Sequence, residues 1–148
     1  MSANSRLTIA IHILTWMALV GRKRPDPVTS NRIALSVNTN PVVIRRILGR
    51  LSKKGLVRSL RGANAGWVLA KPPRAITLRD VYDALGEGPS FALHAATPNQ
   101  ACPVGRGIRP ALSRVYDSLD GVLRTHLART TIEDVLADTL RRPNLKRT

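Results

Sequence analysis

The sequence predicts a mainly α fold with a small β-hairpin wing: a winged helix-turn-helix domain followed by a long C-terminal helix. Three observations carry this expectation. Residues 30–71 run as a polar helix start, a basic amphipathic helix and a Gly-centred hairpin with almost no slack between them. The basic excess is concentrated in the same part of the chain: residues 1–80 hold 15 Lys and Arg against 2 Asp and Glu, whereas residues 81–148 hold 9 against 7. Finally, Ile108, Leu112, Val115, Leu119 and Val122 alternate steps of four and three, the narrow seam of a coiled-coil-type helix.

The first helix is expected over Ser5 to Val20, where Leu7, Ile11, Leu14 and Ala18 fall at helical spacing and Ala10, Ile13 and Met17 widen the stripe. A helix apolar nearly all round needs cover on more than one side, from the helix-turn-helix on one flank and a partner subunit on the other. Arg22 to Pro27, with two prolines and three basic residues, breaks it. Thr29-Ser30 then caps a short helix through Val37, with Ile33, Ala34 and Val37 facing inward.

Asn38-Thr39-Asn40-Pro41 makes the turn into a basic helix running to about Lys54. Pro41 suits a first helical turn, where its missing N–H costs nothing, and Thr39 or Asn40 can cap that end. Val43, Ile44, Ile47, Leu48 and Leu51 form the buried stripe, leaving Val42, Arg45, Arg46, Gly49, Arg50 and Lys53 on the outer arc. Gly55 ends the helix as a left-handed cap. Strands Leu56–Leu60 and Trp67–Ala70 follow, joined by Arg61-Gly62-Ala63-Asn64-Ala65-Gly66.

Past the wing, Thr77 caps a fourth helix through Leu85, with Asp80 placed for a capping box. Residues 86–107 read as an irregular connecting loop, interrupted by Gly88-Pro89, Pro98-Asn99, Cys102-Pro103 and Gly105. The seam helix runs from Ile108 to about Leu127, roughly 30 Å at 1.5 Å per residue. In so small a protein such a seam is most simply buried by its own copy in a two-fold dimer; packing back onto the first helix is the blander reading. Thr130 or Thr131 caps a last helix holding Ile132, Val135, Leu136 and Leu140, and a basic tail, expected to fray, covers 141–148. The expected divisions are thus 1–85, 86–107 and 108–148.

Composition narrows the function classes. Of 148 residues, 24 are Lys or Arg and 9 Asp or Glu, for a formal net charge of +15. Charge alone would fit RNA, an anionic membrane or a soluble surface. Its concentration around a groove-sized helix favours nucleic acid, and an aromatic content of 3% favours duplex DNA over single strands, which are held on stacking platforms. The apolar stretch Leu7–Val20 is too short for a membrane span. A single cysteine excludes an intrachain disulfide and points to a reducing cytoplasm, where a DNA-binding role would make the chain nucleoid-associated.

The candidate DNA-binding set follows from this layout. Thr29, Ser30, Thr39, Asn40, Val42, Arg45 and Arg46 are expected to face base edges or flanking phosphates. Arg50, Lys53, Arg58, Arg61 and Asn64 are expected to hold the backbone and place the wing. The null alternative is that Arg45, Arg46 and Arg50 form only the solvated face of an amphipathic helix. Cys102 is a candidate sensor thiol or a small buried hydrophobe; Arg106 and the following helix start would favour the thiolate. His12 in the first helix has a packing explanation, His94 and His126 lack partners at metal spacing, and Trp16 and Trp67 read as packing residues, Trp67 anchoring the wing. No catalytic constellation and no Gly-rich phosphate loop is legible, so an enzyme is not expected.

The chain resembles the Rrf-two family of bacterial winged-helix regulators, relatives of IscR, NsrR and CymR. The likeness covers nearly the whole chain and rests on Ile33-Ala34, on Leu51-Ser52-Lys53-Lys54-Gly55-Leu56-Val57-Arg58-Ser59 and on Arg61-Gly62-Ala63-Asn64-Ala65-Gly66-Trp67. It continues through Leu69-Ala70-Lys71-Pro72-Pro73, Ile76-Thr77-Leu78-Arg79-Asp80-Val81, Cys102-Pro103-Val104-Gly105 and Thr131-Ile132-Glu133-Asp134-Val135. The resemblance implies a homodimer that binds a near-palindromic operator, usually as a repressor, and senses a small-molecule or redox signal through the loop before the long helix. Iron–sulfur members hold a cluster with three cysteines in that loop. Here Cys102 stands alone, and only His94 and acidic groups could substitute, so the resemblance points to the cluster-free, YwnA-like branch without a cofactor. Two other readings stay open: a non-regulatory nucleic-acid module, and a winged helix whose basic face meets an acidic protein.

Overall fold

A computed structural model of the chain describes residues 3–142; the tail expected over 141–148 lies outside these from 143 onward. Six helices and one hairpin follow in order: α1 (Ala3–Lys23), α2 (Ser30–Val37), α3 (Pro41–Lys53), β1 (Val57–Leu60), β2 (Gly66–Leu69), α4 (Leu78–Leu85), α5 (Pro103–Leu127) and α6 (Ile132–Arg141). A short 3-10 turn at Pro73–Ala75 leads into α4. The fold is the one the sequence predicts: mainly helical, with a hairpin wing and a long helix toward the C-terminus.

Helix α1 is the central post, packing against α2, α3, α4, α6 and the wing. Its Ala10, Ile13, Leu14, Met17 and Ala18 are buried, and its one buried polar residue, Thr15, donates its hydroxyl to the Ile11 carbonyl at 2.7 Å. That back-bond satisfies a group that would otherwise be orphaned in the core. The helix continues to Lys23, past the break expected at Arg22, so the prolines at 25 and 27 end it rather than the basic run. Ile33 and Ala34 of α2 and Ile44, Ile47, Leu48 and Leu51 of α3 complete one apolar cluster with α1.

In the hairpin β1 starts one residue later than expected and ends as expected at Leu60, while β2 lies one residue earlier. Val57 pairs with Leu69 and Leu60 with Gly66 in an antiparallel register. A third segment was not foreseen: Val28 bridges Trp67, its N–H donating to the Trp67 carbonyl at 3.0 Å while the Trp67 N–H returns 2.8 Å to Val28. This close approach explains Gly66, where a Cβ would stand 2.8 Å from the Val28 carbonyl oxygen. The wing is thereby fastened, near the turn end of β2, to the segment entering α2.

Helices α4 and α6 start back to back. Thr77 and Asp80, and likewise Thr131 and Asp134, form reciprocal capping boxes, and the Leu78 N–H reaches the Thr130 carbonyl while the Ile132 N–H reaches Ile76. From there α6 runs onto α1, sinking Ile132 and Leu136 into the core.

Helix α5 differs from the rest. It begins at Pro103 rather than near Ile108, so the connecting loop is shorter than expected, 86–102. At 25 residues it is roughly 37 Å long. It meets the body chiefly through α4, where Arg124 pairs with Asp83 and lies over the Tyr82 ring; within α5 itself Arg124 also pairs with Asp120 at 2.9 Å. Asp120 first, and Asp83 after it, raise the Arg124 pKa above its ordinary value. None of its residues is buried, and the expected seam is open along Val115, Leu119 and Val122. Within the chain, α1 is covered by α2, α3, α4 and α6, not by α5.

Candidate nucleic-acid interface

The turn between α2 and α3 is fixed locally by three features. Thr29 caps α2, its hydroxyl accepting from the Arg32 N–H at 3.3 Å. Asn38 takes a left-handed conformation at φ 58°, which Asn tolerates better than other non-glycine residues, and its N–H closes α2 onto Ala34. Asn40, not Thr39, then caps α3, its side-chain oxygen accepting from the Val42 N–H at 2.8 Å. With Pro41 at the first helical turn, α3 enters solvent with its positive dipole end forward.

On this frame the exposed side chains of α3 share one arc. Val42 is half exposed, and Arg45, Arg46 and Lys53 stand in solvent. Arg45 also reaches across to α2, its guanidinium 3.4 Å from the Ser30 hydroxyl, a long contact that ties the two helices together loosely. Among the described residues none of Arg45, Arg46, Lys53, Arg58 and Arg61 pairs with a carboxylate. The reason is compositional: no Asp or Glu occurs between Asp26 and Asp80. An amphipathic helix whose charges only solubilise it normally interleaves both signs. Here the turn, the basic helix and the wing form a surface of one sign.

Arg50, which periodicity places on the same arc, makes contacts to α4 as well. Its guanidinium donates to the Leu85 carbonyl at the end of α4, at 2.9 Å, and lies 3.8 Å from Glu87. Glu87 is in turn 2.6 Å from Arg6 of α1. Arg50 therefore closes the C-terminus of α4, where an orphan carbonyl attracts a cation. The sequence held no local signal for this junction, because its members lie 35 to 44 positions apart from Arg50 or farther still along the chain from Arg6.

The wing presents Arg58 on β1 and Arg61 and Asn64 on the connecting turn, all exposed. Gly62, at φ 100°, supplies the backbone conformation that the tip requires. Trp67 is half-buried against the core, as expected of an anchor. His12 is exposed and shares a hydrogen bond of 3.1 Å with the Ser36 hydroxyl, and Arg32 lies over Trp16, so both residues join α1 to α2.

The connecting loop rests on α5. Phe91 stacks at 5.5 Å on Tyr116, Arg109 donates to the carbonyls of His94 and Ala95, and the Asn99 carbonyl lies directly over Gly105, where a Cβ would stand 2.1 Å away. Cys102 is the residue that precedes α5, partly buried, with no capping bond from its side chain. An iron–sulfur cluster does not fit this donor set. The chain has one cysteine, His94 faces the Ala96 carbonyl, and among the described residues no group of three or more His, Cys, Asp or Glu converges. No described helix is long and apolar enough to cross a membrane.

Comparison with known proteins bears on this geometry. Residues 3–138 match a family model named Rrf2 (the Rrf-two family above) and described as "Iron-dependent Transcriptional regulator". The chain is 39% identical to a protein of Bacillus subtilis provisionally named HTH-type transcriptional regulator YwnA, across 90% of this chain and 96% of that one. It is 28% identical to the HTH-type transcriptional regulator CymR of the same organism, over 85% of each chain. A crystal structure described only as that of a DNA-binding protein superposes with a TM-score of 0.69 at 35% identity, over 88% of this chain and 98% of the other.

Proposed function

Because the chain belongs to the Rrf2 family of winged helix-turn-helix, DNA-binding transcriptional regulators, we propose that it acts as a homodimer on a near-palindromic operator, as a repressor and without an iron–sulfur cluster. The observation that carries the reading is the carboxylate-free surface running from the cap of α2 across α3 to the wing tip. Facing a duplex, α3 enters the major groove with Val42, Arg45 and Arg46 toward base edges. Thr29, Ser30, Thr39 and Asn40 flank them near phosphates, and Lys53, Arg58, Arg61 and Asn64 hold the backbone on either side. Arg50 leaves this group for its task at α4.

The exposed seam of α5 supports the dimer. Ile108, Leu112, Val115, Leu119 and Val122 would be covered by the same residues of a second copy, setting two reading helices in two-fold relation. One thiol per chain supports the cluster-free assignment, and the 39% identity to YwnA supports placement in that branch. Cytoplasmic, nucleoid-associated residence follows from the same reading. Against the family description as iron-dependent, this reading rests on the single thiol and on the lack, among the described residues, of three converging His, Cys, Asp or Glu side chains.

Two substitutions separate sequence reading from backbone holding. If Arg45 contacts a guanine, Arg45→Ala costs about 1–3 kcal/mol of operator affinity and relaxes preference at one base step. Lys53→Ala weakens all duplexes alike and reduces the slope of log affinity on log salt by about one. A gel-shift salt titration on operator and random DNA distinguishes them. Identical behaviour of the two variants would reject the assignment.

A further inference from the structure

Beside the wing lies an open groove of about 590 Å³. It is walled by the end of α1, the loop entering α2, both strands and the segment that follows the wing. Its volume lies within the range of small-molecule sites. Met17, Val28, Leu60, Trp67, Val68 and Pro72 make an apolar lining, and two of these, Met17 and Val28, are themselves buried. The rim carries Arg22, Arg58 and Lys71 against Asp26 and Glu133.

The cations are not equivalent. Arg22 is neutralised by Glu133 at the foot of α6. Arg58 and Lys71, on the wing side, pair with no carboxylate among the described residues. The groove thus offers an apolar floor and, at one edge, two cations without an ion-pair partner among the described residues, which leaves a net positive rim even with Asp26 on it. That combination suits a flat or branched apolar body bearing a single anionic group, which accepts charge-assisted hydrogen bonds while its body leaves water.

We propose that this groove is an effector site for a small apolar anion, an aryl carboxylate or sulfonate in chemical class. Its position gives it a route to the DNA face, and this part rests on the DNA-binding reading above. Arg58 is both a rim residue of the groove and a candidate phosphate contact of the wing. A bound anion claims that guanidinium and fixes the angle at which the wing leaves α1. Ligand and operator phosphate then compete, so occupancy weakens the DNA complex.

The test uses anilinonaphthalene sulfonate, whose apolar rings and single sulfonate match the proposed chemistry. In the Trp16→Phe protein Trp67 is the remaining tryptophan, so energy transfer from it to the dye reports on the groove rather than on other apolar surface. Binding is expected to saturate, and to weaken about tenfold in the Arg58→Ala/Lys71→Ala protein as two charge-assisted contacts are lost. Arg45→Ala/Arg46→Ala, which removes the same charge from α3, should leave dye affinity unchanged. Uncharged phenylnaphthylamine should bind weakly to both. Equal effects of the two double substitutions, or none from either, would overturn the site.

A second arm measures duplex binding with the dye at saturation. Weaker binding with a salt slope smaller by about one is expected. Undiminished binding to DNA with the groove filled would overturn the coupling. A protein that ignored duplex DNA even without dye would refute the DNA-binding reading alone, since the first arm still interrogates the groove.

Discussion

Helices α3 and α5 are both amphipathic, yet only one of them has its apolar side covered. In α3, Ile44, Ile47, Leu48 and Leu51 are at most 3% exposed, closed in by α1, α2 and α4. In α5, Val115, Leu119 and Val122 are 44–65% exposed among the described residues. The same sequence pattern thus has two outcomes. The reading domain completes its own core, and the rod displays apolar surface that water penalises at about 25 cal/mol per Å². Burial inside the chain explains the stability of the domain; the dimer proposed above would cover the rod.

The sharpest way to break that contrast is to place a charge in the rod's seam. Leu119→Arg should leave the fold of the domain intact while abolishing self-association. Operator affinity should then fall by about two orders of magnitude, the loss expected when two linked half-sites become one. Sedimentation and gel shifts on the same samples would check both. Undiminished affinity would mean that the seam has no part in DNA binding.

The opposite substitution sharpens the contrast from the other side. Leu48→Ala, in the closed core, should destabilise by about 2–5 kcal/mol in urea unfolding. Val122→Ala should shift the same curve little at concentrations too low for association, because its side chain is already in water.

How much of this was legible in the sequence follows the same division. The caps at Thr29, Thr77 and Thr131, the turn at Asn38–Pro41, the buried stripe of α3 and the wing were readable because each is written in residues a few positions apart. The sequence places the start of α5 five residues late because Pro103, Gly105 and Gly107 read as loop. Pro103 sits where a helix tolerates it, and Gly105 is there to admit the Asn99 carbonyl rather than to break the helix. Arg50 was set on the DNA arc because helical periodicity places it there. Its bond to the carbonyl at position 85 is one that no local pattern reveals. The Val28–Trp67 bridge and the groove beside the wing were invisible for the same reason.

The Arg50 bond to α4 offers a smaller test. Arg50→Ala should cost about 1 kcal/mol of stability by stripping the last carbonyl of α4 of its donor. The salt slope of DNA binding should not change, in contrast with Lys53→Ala. A slope lowered by Arg50→Ala would return this residue to the phosphate contacts.

The smallest expected effect is pH-dependent. The Thr131 N–H, and after it the Thr131 hydroxyl, hold the Asp134 carboxyl below its ordinary pKa. A group depressed in the folded state contributes stability above its unfolded pKa and loses it as pH falls through the folded one. Thermal unfolding of the wild type should therefore lose ground on acidification below the ordinary carboxylate range. Asp134→Asn should start lower at neutral pH and lose less over the same interval. Parallel curves for the two proteins would remove the capping box from the account of α6.

The most direct measurement is the stoichiometry of the complex with a duplex carrying two inverted half-sites. Sedimentation of the mixture should give two protomers per duplex, assembling without a populated single-protomer species, with Leu119→Arg reduced to weak single occupancy. One wild-type protomer bound tightly to that duplex, with its partner half-site empty, would contradict a rod-joined pair of reading heads.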